Sequence, residues 1–267
     1  LHRAVLRDLD GSAPAGSQDR AAAMSYYGTA LLRAQRFEEA AQVLEQALAA
    51  HRDSLGEIHE EYALIASNLA VALRNLRRYD EAEPLLRRSI EISREVYAGP
   101  HPGLGQRLNN LGSLLSLQGR YAEARDKLEQ ALAIHQQLYP DGHHELAGTR
   151  SNLAMVLAAE GDFERAVQLY AQALASMRAT LGERHRNVAV VLNNLAHARL
   201  HAGDVAAARR DGEESLAIKL EQVAADSETV AHTRLLLARI ALVEDQGERA
   251  LDLAGQALAS YRAQPGA

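Results

Sequence analysis

Residues 107–132, RLNNLGSLLSLQGRYAEARDKLEQAL, carry apolar and small residues at helical spacing on both sides of Gln118-Gly119-Arg120. Before the turn, Leu108, Leu111, Gly112 and Leu115 line one face of a helix. Beyond it, Tyr121, Ala124, Leu128, Ala131 and Leu132 do the same. Gly119 stands where a left-handed C′ residue ends a helix, so the stretch is a helix pair. It recurs. Ala40, Ala82, Ala124, Ala166, Ala208 and Ala250 are spaced 42 apart. Three residues before them stand Phe37, Tyr79, Tyr121 and Phe163, then Val205 and Gly247 as the pattern decays. Seven residues after them a small residue precedes a branched apolar one: Ala47-Leu48, Ser89-Ile90, Ala131-Leu132, Ala173-Leu174, Ser215-Leu216 and Ala257-Leu258. The small residues mark places where two helices approach closely and a larger side chain would part them.

A fixed period of this length identifies stacked helix pairs. First helices are predicted near 19–34, 60–76, 102–118, 143–160, 186–202 and 228–245, without β-strands. Second helices run from the aromatic to about Leu55, Tyr97, Leu138 or Leu181. The linkers carry Gly or Pro and the periodic histidines His59, His101, His143 and His185, which are expected to cap the following helix. Acidic pairs such as Glu38-Glu39 and Glu213-Glu214 read as first-turn residues of second helices, favoured by the helix dipole.

Asn-Leu-Gly, an aromatic after the turn, then Ala and the small-Leu pair resemble the tetratricopeptide repeat. The usual repeat has 34 residues; a period of 42 is similar to the kinesin-light-chain subtype, whose Gly-x-x-His linker the loop histidines match. The resemblance implies an all-α, right-handed α-solenoid of about six helix pairs. Residues 1–18 read as the tail helix of a preceding partial repeat plus linker. Repeats follow at about 19–58, 59–100, 101–142, 143–184, 185–226 and 227–263, with a flexible tail at 264–267. Gly212 and Ala254 replace the Leu44, Leu86 and Leu128 phase, and Leu236 replaces Asn, as expected of terminal, capping repeats.

Composition excludes several classes of function. The 267 residues include no Cys and no Trp and carry a formal charge of −6. A disulfide framework and a thiol nucleophile are therefore absent. An acidic balance with no basic run argues against nucleic acid and anionic membrane as partners. The best apolar stretch, Ala63 to Leu73, is interrupted by Ser67 and Asn68 and is too short for a membrane span. Two lysines against 27 arginines, together with abundant Ala, suggest a bacterial, GC-rich source. The start at Leu1 reads as a fragment or processed form of a cytoplasmic protein, with flanking domains in a longer chain.

No phosphate loop, nucleophile elbow or paired-carboxylate motif occurs, so no enzyme and no cofactor is expected. His197 and His201 have the i, i+4 spacing of metal ligands, but no Glu lies between them and no third ligand has a helical spacing, so no metal is expected there. By the resemblance, first helices line a concave groove. Its candidate peptide-binding residues are Asn68, Arg74, Asn75, Asn109, Asn110, Asn152, Met155, Asn193, Asn194, His197 and His201. Asn68, Asn110, Asn152 and Asn194 share one phase, and each amide offers donor and acceptor to an extended peptide backbone. A bond to a neighbouring helix is the alternative use of the same amides. The carboxylate clamp of chaperone-binding members needs groove lysines, and neither Lys127 nor Lys219 is so placed. The expected function is a protein or peptide interaction module. Alternatives are a regulatory segment of a bacterial signalling protein, a STAND ATPase or kinase, and a metal-binding or enzymatic protein.

Overall fold

In the computed structural model, which describes residues 18–262, the apolar periodicity becomes twelve helices in six pairs. These are α1 (Gln18–Arg33) with α2 (Phe37–Leu55), α3 (Glu60–Asn75) with α4 (Tyr79–Val96), and α5 (Pro102–Leu117) with α6 (Tyr121–Leu138). Then come α7 (His144–Ala159) with α8 (Phe163–Leu181), α9 (Arg186–His201) with α10 (Val205–Gln222), and α11 (Glu228–Val243) with α12 (Gly247–Arg262). No strand occurs among the described residues. The expected partial repeat before the first pair and the tail at 264–267 lie outside them. No described helix is long and apolar enough to cross a membrane.

The chain divides into two units, one ending at Leu138 and the other starting at Tyr139. Within each, a second helix packs against its own first helix and against the first helix of the next repeat. Successive first helices also touch, α1 with α3 and α3 with α5, and α7 with α9 and α9 with α11. Successive second helices in one unit show no close backbone approach among the described residues and meet only through long side chains. First helices therefore converge on the inner, concave side of each unit.

The recurrent small residues form the seams. Ala40, Ala82, Ala124, Ala166 and Ala208 are wholly buried, as are Ala47, Ser89, Ala131, Ala173, Ser215 and Ala257. Gly212 has a local cause beyond a terminal position. A Cβ there would come 2.8 Å from Leu237 Cδ2, so the missing side chain admits a leucine from α11. One expectation needs correcting. Glu38 and Glu39 lie in the first turn of α2, but Glu213 and Glu214 lie well inside α10. There they pair with Arg249 at 2.5 Å and Arg178 at 2.6 Å on neighbouring second helices.

Each loop histidine accepts a hydrogen bond at Nδ1 from the backbone N–H two residues on. The distances are 3.2 Å at His59, 3.1 Å at His101, 3.2 Å at His143 and 3.1 Å at His185. This satisfies one of the free N–H groups that open a helix. Tyr97 and Tyr139 stack on His101 and His143 with ring centroids 3.6 and 3.8 Å apart, which orients both caps.

Between the helices of every pair one residue has positive φ: Gln35, Arg77, Gly119, Gly161, Gly203 and Asp245. The three glycines were legible in the sequence; the other three turns lack that signal. A side chain there costs about 1–2 kcal/mol of steric strain, partly offset because glycine has more unfolded-state entropy to lose. Arg77 is exposed, with φ 60°. Arg77→Gly should therefore raise stability by about 0.5–1 kcal/mol. An unchanged or lower urea midpoint would show that the turn carries no strain.

Candidate concave binding surface

In the first unit, polar side chains of one first helix reach the next. Asn68 on α3 donates from Nδ2 to Thr29 Oγ1 on α1 at 3.1 Å. Asn110 on α5 donates to Ser67 Oγ on α3 at 3.3 Å and accepts from Gln106 at 3.1 Å. Arg74 donates to Ser113 Oγ at 3.3 Å, and burial pulls its pKa below the usual arginine value. Asn109 is half-buried on the same helix as Asn110. Asn75 is exposed and donates to the Val71 carbonyl at 2.7 Å. Leu64 and Leu117 add exposed apolar surface on first helices.

The second unit repeats the scheme with different chemistry. Asn152 and Met155 are half-buried on α7. Asn193 Oδ1 accepts from Thr233 Oγ1 on α11 at 2.9 Å. Asn194 hydrogen-bonds Tyr170 on α8; burial pushes that phenol's pKa up and the Asn194 bond opposes the shift. His201 is exposed and stacks on Phe163, with centroids 4.7 Å apart and planes at 13°. His197 lies 4.7 Å from His201, ring to ring, and Arg239 lies 3.5 Å from His201 Nε2. Burial first, then His201 and Arg239, lower the pKa of His197 and favour its neutral form.

The candidate residues thus fall into two groups, each described within its own unit. Asn68 and Asn110 in the first, with Asn193 and Asn194 in the second, already bind neighbouring helices. An amide has two N–H donors and two acceptor lone pairs, so one inter-helix bond does not exhaust it. Asn75 and His201 are the most open polar members. Sequence reasoning missed Phe163, Tyr170 and Arg239 as partners. Arg239 was within reach, since it lies one period after His197. Both lysines fall on second helices, α6 and α10, and Lys219 is held by Thr233 Oγ1 at 2.7 Å.

Family comparison recognises these helix pairs as a known repeat. A model of the tetratricopeptide repeat matches residues 61–137 and 145–221, and a second model of that repeat matches 20–61. Comparison with curated proteins finds no match. Among solved structures, BtubC (BKLC) from P. vanneervenii is 23% identical with TM-score 0.70, over 87% of this chain and 92% of that one. A putative kinesin light chain of Podosopora anserina, with nearly identical TPR-like repeats, is 24% identical with TM-score 0.65, over 76% of this chain and 96% of that one. The APC/C hetero-tetramer Cut9-Hcn1 aligns at 15% identity with TM-score 0.74, over 98% of this chain and 43% of that one. These likenesses concern the fold.

Proposed function

Because the chain belongs to the tetratricopeptide repeat family, an α-solenoid protein-interaction scaffold, we propose that it is a non-enzymatic module holding an extended peptide or partner domain against its first helices. The observation that supports this reading is the recurrence of Asn68, Asn110, Asn152 and Asn194 at one helical phase of the first helices, which also carry exposed Asn75, Leu64 and Leu117. Amides at regular intervals suit an extended backbone, whose own amides recur regularly. Selectivity then comes from side chains that differ between repeats: Arg74 in the first unit, Met155, His197 and His201 in the second. Assembly with a second protein, as in the Cut9-Hcn1 hetero-tetramer, supports the reading by analogy of fold alone.

The test starts with a photo-crosslinking residue at Asn75 or Leu117, compared with exposed Ala122 on α6. Groove positions should capture a partner and Ala122 should not. The captured segment is then titrated against protein carrying Asn68→Ala and Asn110→Ala together. Each neutral amide bond contributes about 0.5–1.5 kcal/mol, so affinity should fall roughly ten-fold or more. Melting is recorded beside it, because both substitutions also remove inter-helix bonds. Unchanged affinity in a folded variant would assign these amides to structure alone.

A further inference from the structure

His51 lies near the C-terminal end of α2, the helix that leads into the second repeat, and is completely buried. Neither ring nitrogen makes a hydrogen bond of ordinary geometry, although the nearby Gly56 backbone favours a proton on the ring. Buried polar groups are nearly always paired, so this imidazole stands out. Its Nε2 faces Glu61 Oε2 in the first turn of α3, 3.8 Å away. That is too far for a hydrogen bond. His59, in the linker between the two, completes the cluster, with its ring centroid 5.1 Å from that of His51. One ligand atom from each of the three residues lies within 4.8 Å of the others.

We propose that His51, His59 and Glu61 bind a divalent transition-metal ion of the zinc class at the junction of the first and second repeats. Two imidazoles and a carboxylate form a donor set that zinc accepts, and three protein ligands leave one position for water. Bonds of about 2.0–2.1 Å at tetrahedral angles separate donor atoms by about 3.4 Å. The His51–Glu61 separation is close to this. His59 is exposed and Glu61 half-buried, so both have room to rotate inward and the ion reaches them from solvent. Burial lowers the pKa of His51, against the opposing pull of Glu61, and favours the neutral ring that metal coordination requires.

Binding has a specific local cost. His59 Nδ1 accepts the Glu61 N–H at 3.2 Å, so the neutral ring carries its proton on Nε2. Coordination through Nε2 shifts that proton to Nδ1 and gives up the helix cap; coordination through Nδ1 gives it up as well. The ion would replace a backbone cap with a clip joining the end of α2 to the start of α3. The three donors come from a helix end, a linker and the next helix, so a search for ligands spaced along one helix passes over them.

The experiment uses full-length, chelator-treated protein titrated with Zn2+ alone, followed by calorimetry and melting. Co2+ absorption provides an independent reading of four-coordinate geometry. Glu61→Gln removes the charged ligand, and His59→Asn keeps an acceptor suited to helix capping. His59 is exposed and Glu61 half-buried, so neither change removes a wholly buried side chain. The parent should bind one equivalent of Zn2+ at least ten-fold more tightly than either variant, and Zn2+ should raise its melting temperature by several degrees more. Because the chain has other histidines, the decisive quantity is the difference from the parent. No uptake by the parent, or equal uptake by parent and both variants, overturns the site.

Discussion

Arg107→Ala should lower stability by about 2–4 kcal/mol, the larger of the two strongest effects. The side chain starts on α5 and is 2% exposed, yet it carries a full charge into the seam between the second and third repeats. Its guanidinium donates to Glu60 Oε1 at 2.7 Å, to Ser93 Oγ at 2.7 Å and to the Ala63 carbonyl at 3.3 Å. One residue therefore ties α3, α4 and α5 together. Truncation leaves a cavity and strips three acceptors of their donor at once. Glu60 keeps some contact with water, which places the loss below that of a wholly buried pair. Arg107→Met should recover part of the loss by filling the space. Urea denaturation followed by circular dichroism reads both variants. A loss under about 1 kcal/mol for Arg107→Ala would mean that water replaces the guanidinium.

Ala124→Leu should cost about 1–3 kcal/mol by overpacking. Ala124 is wholly buried on α6, and its carbonyl oxygen would lie 3.1 Å from a Cβ built on Gly112 of α5. The α6 backbone comes close to Gly112 there and the Leu128 side chain packs over the glycine, so three added carbons must separate the helices or leave their rotamer wells. Ala122→Leu, two residues away on the exposed face, is the control and should melt as the parent does. If Ala124→Leu also melts as the parent does, the seam is looser than its geometry.

Helix positions were legible because contacts inside a pair obey the period. Ala124 and Gly112 recur in phase with their counterparts, and α1, α3, α5, α7, α9 and α11 begin within one residue of the predicted starts. The polar links between repeats were less legible. Arg107 and Glu60 are 47 residues apart, off the period, and only the stacking of adjacent pairs brings them together. His51 was hidden because its neighbours His59 and Glu61 lie in the following linker and helix, not at a helical spacing along its own helix. The candidate amides were found by phase, but their bonds to Thr29, Ser67 and Tyr170 depend on how far neighbouring helices rotate. Arg77 escaped because a left-handed turn without glycine has no compositional mark.

Bonds between neighbouring repeats bridge short lengths of chain: 14 residues for Arg107 with Ser93, 36 for Arg94 with Gln130 and 47 for Arg107 with Glu60. The entropy of closing a loop grows only with the logarithm of its length, so these junctions differ in closure cost by only about 1 kcal/mol. Low contact order of this kind favours fast folding that can start at any pair. On the ribosome, each pair emerging after another meets the surface it needs among residues made just before it. The unit ending at Leu138 can thus complete its seams while the unit beginning at Tyr139 is still being synthesised.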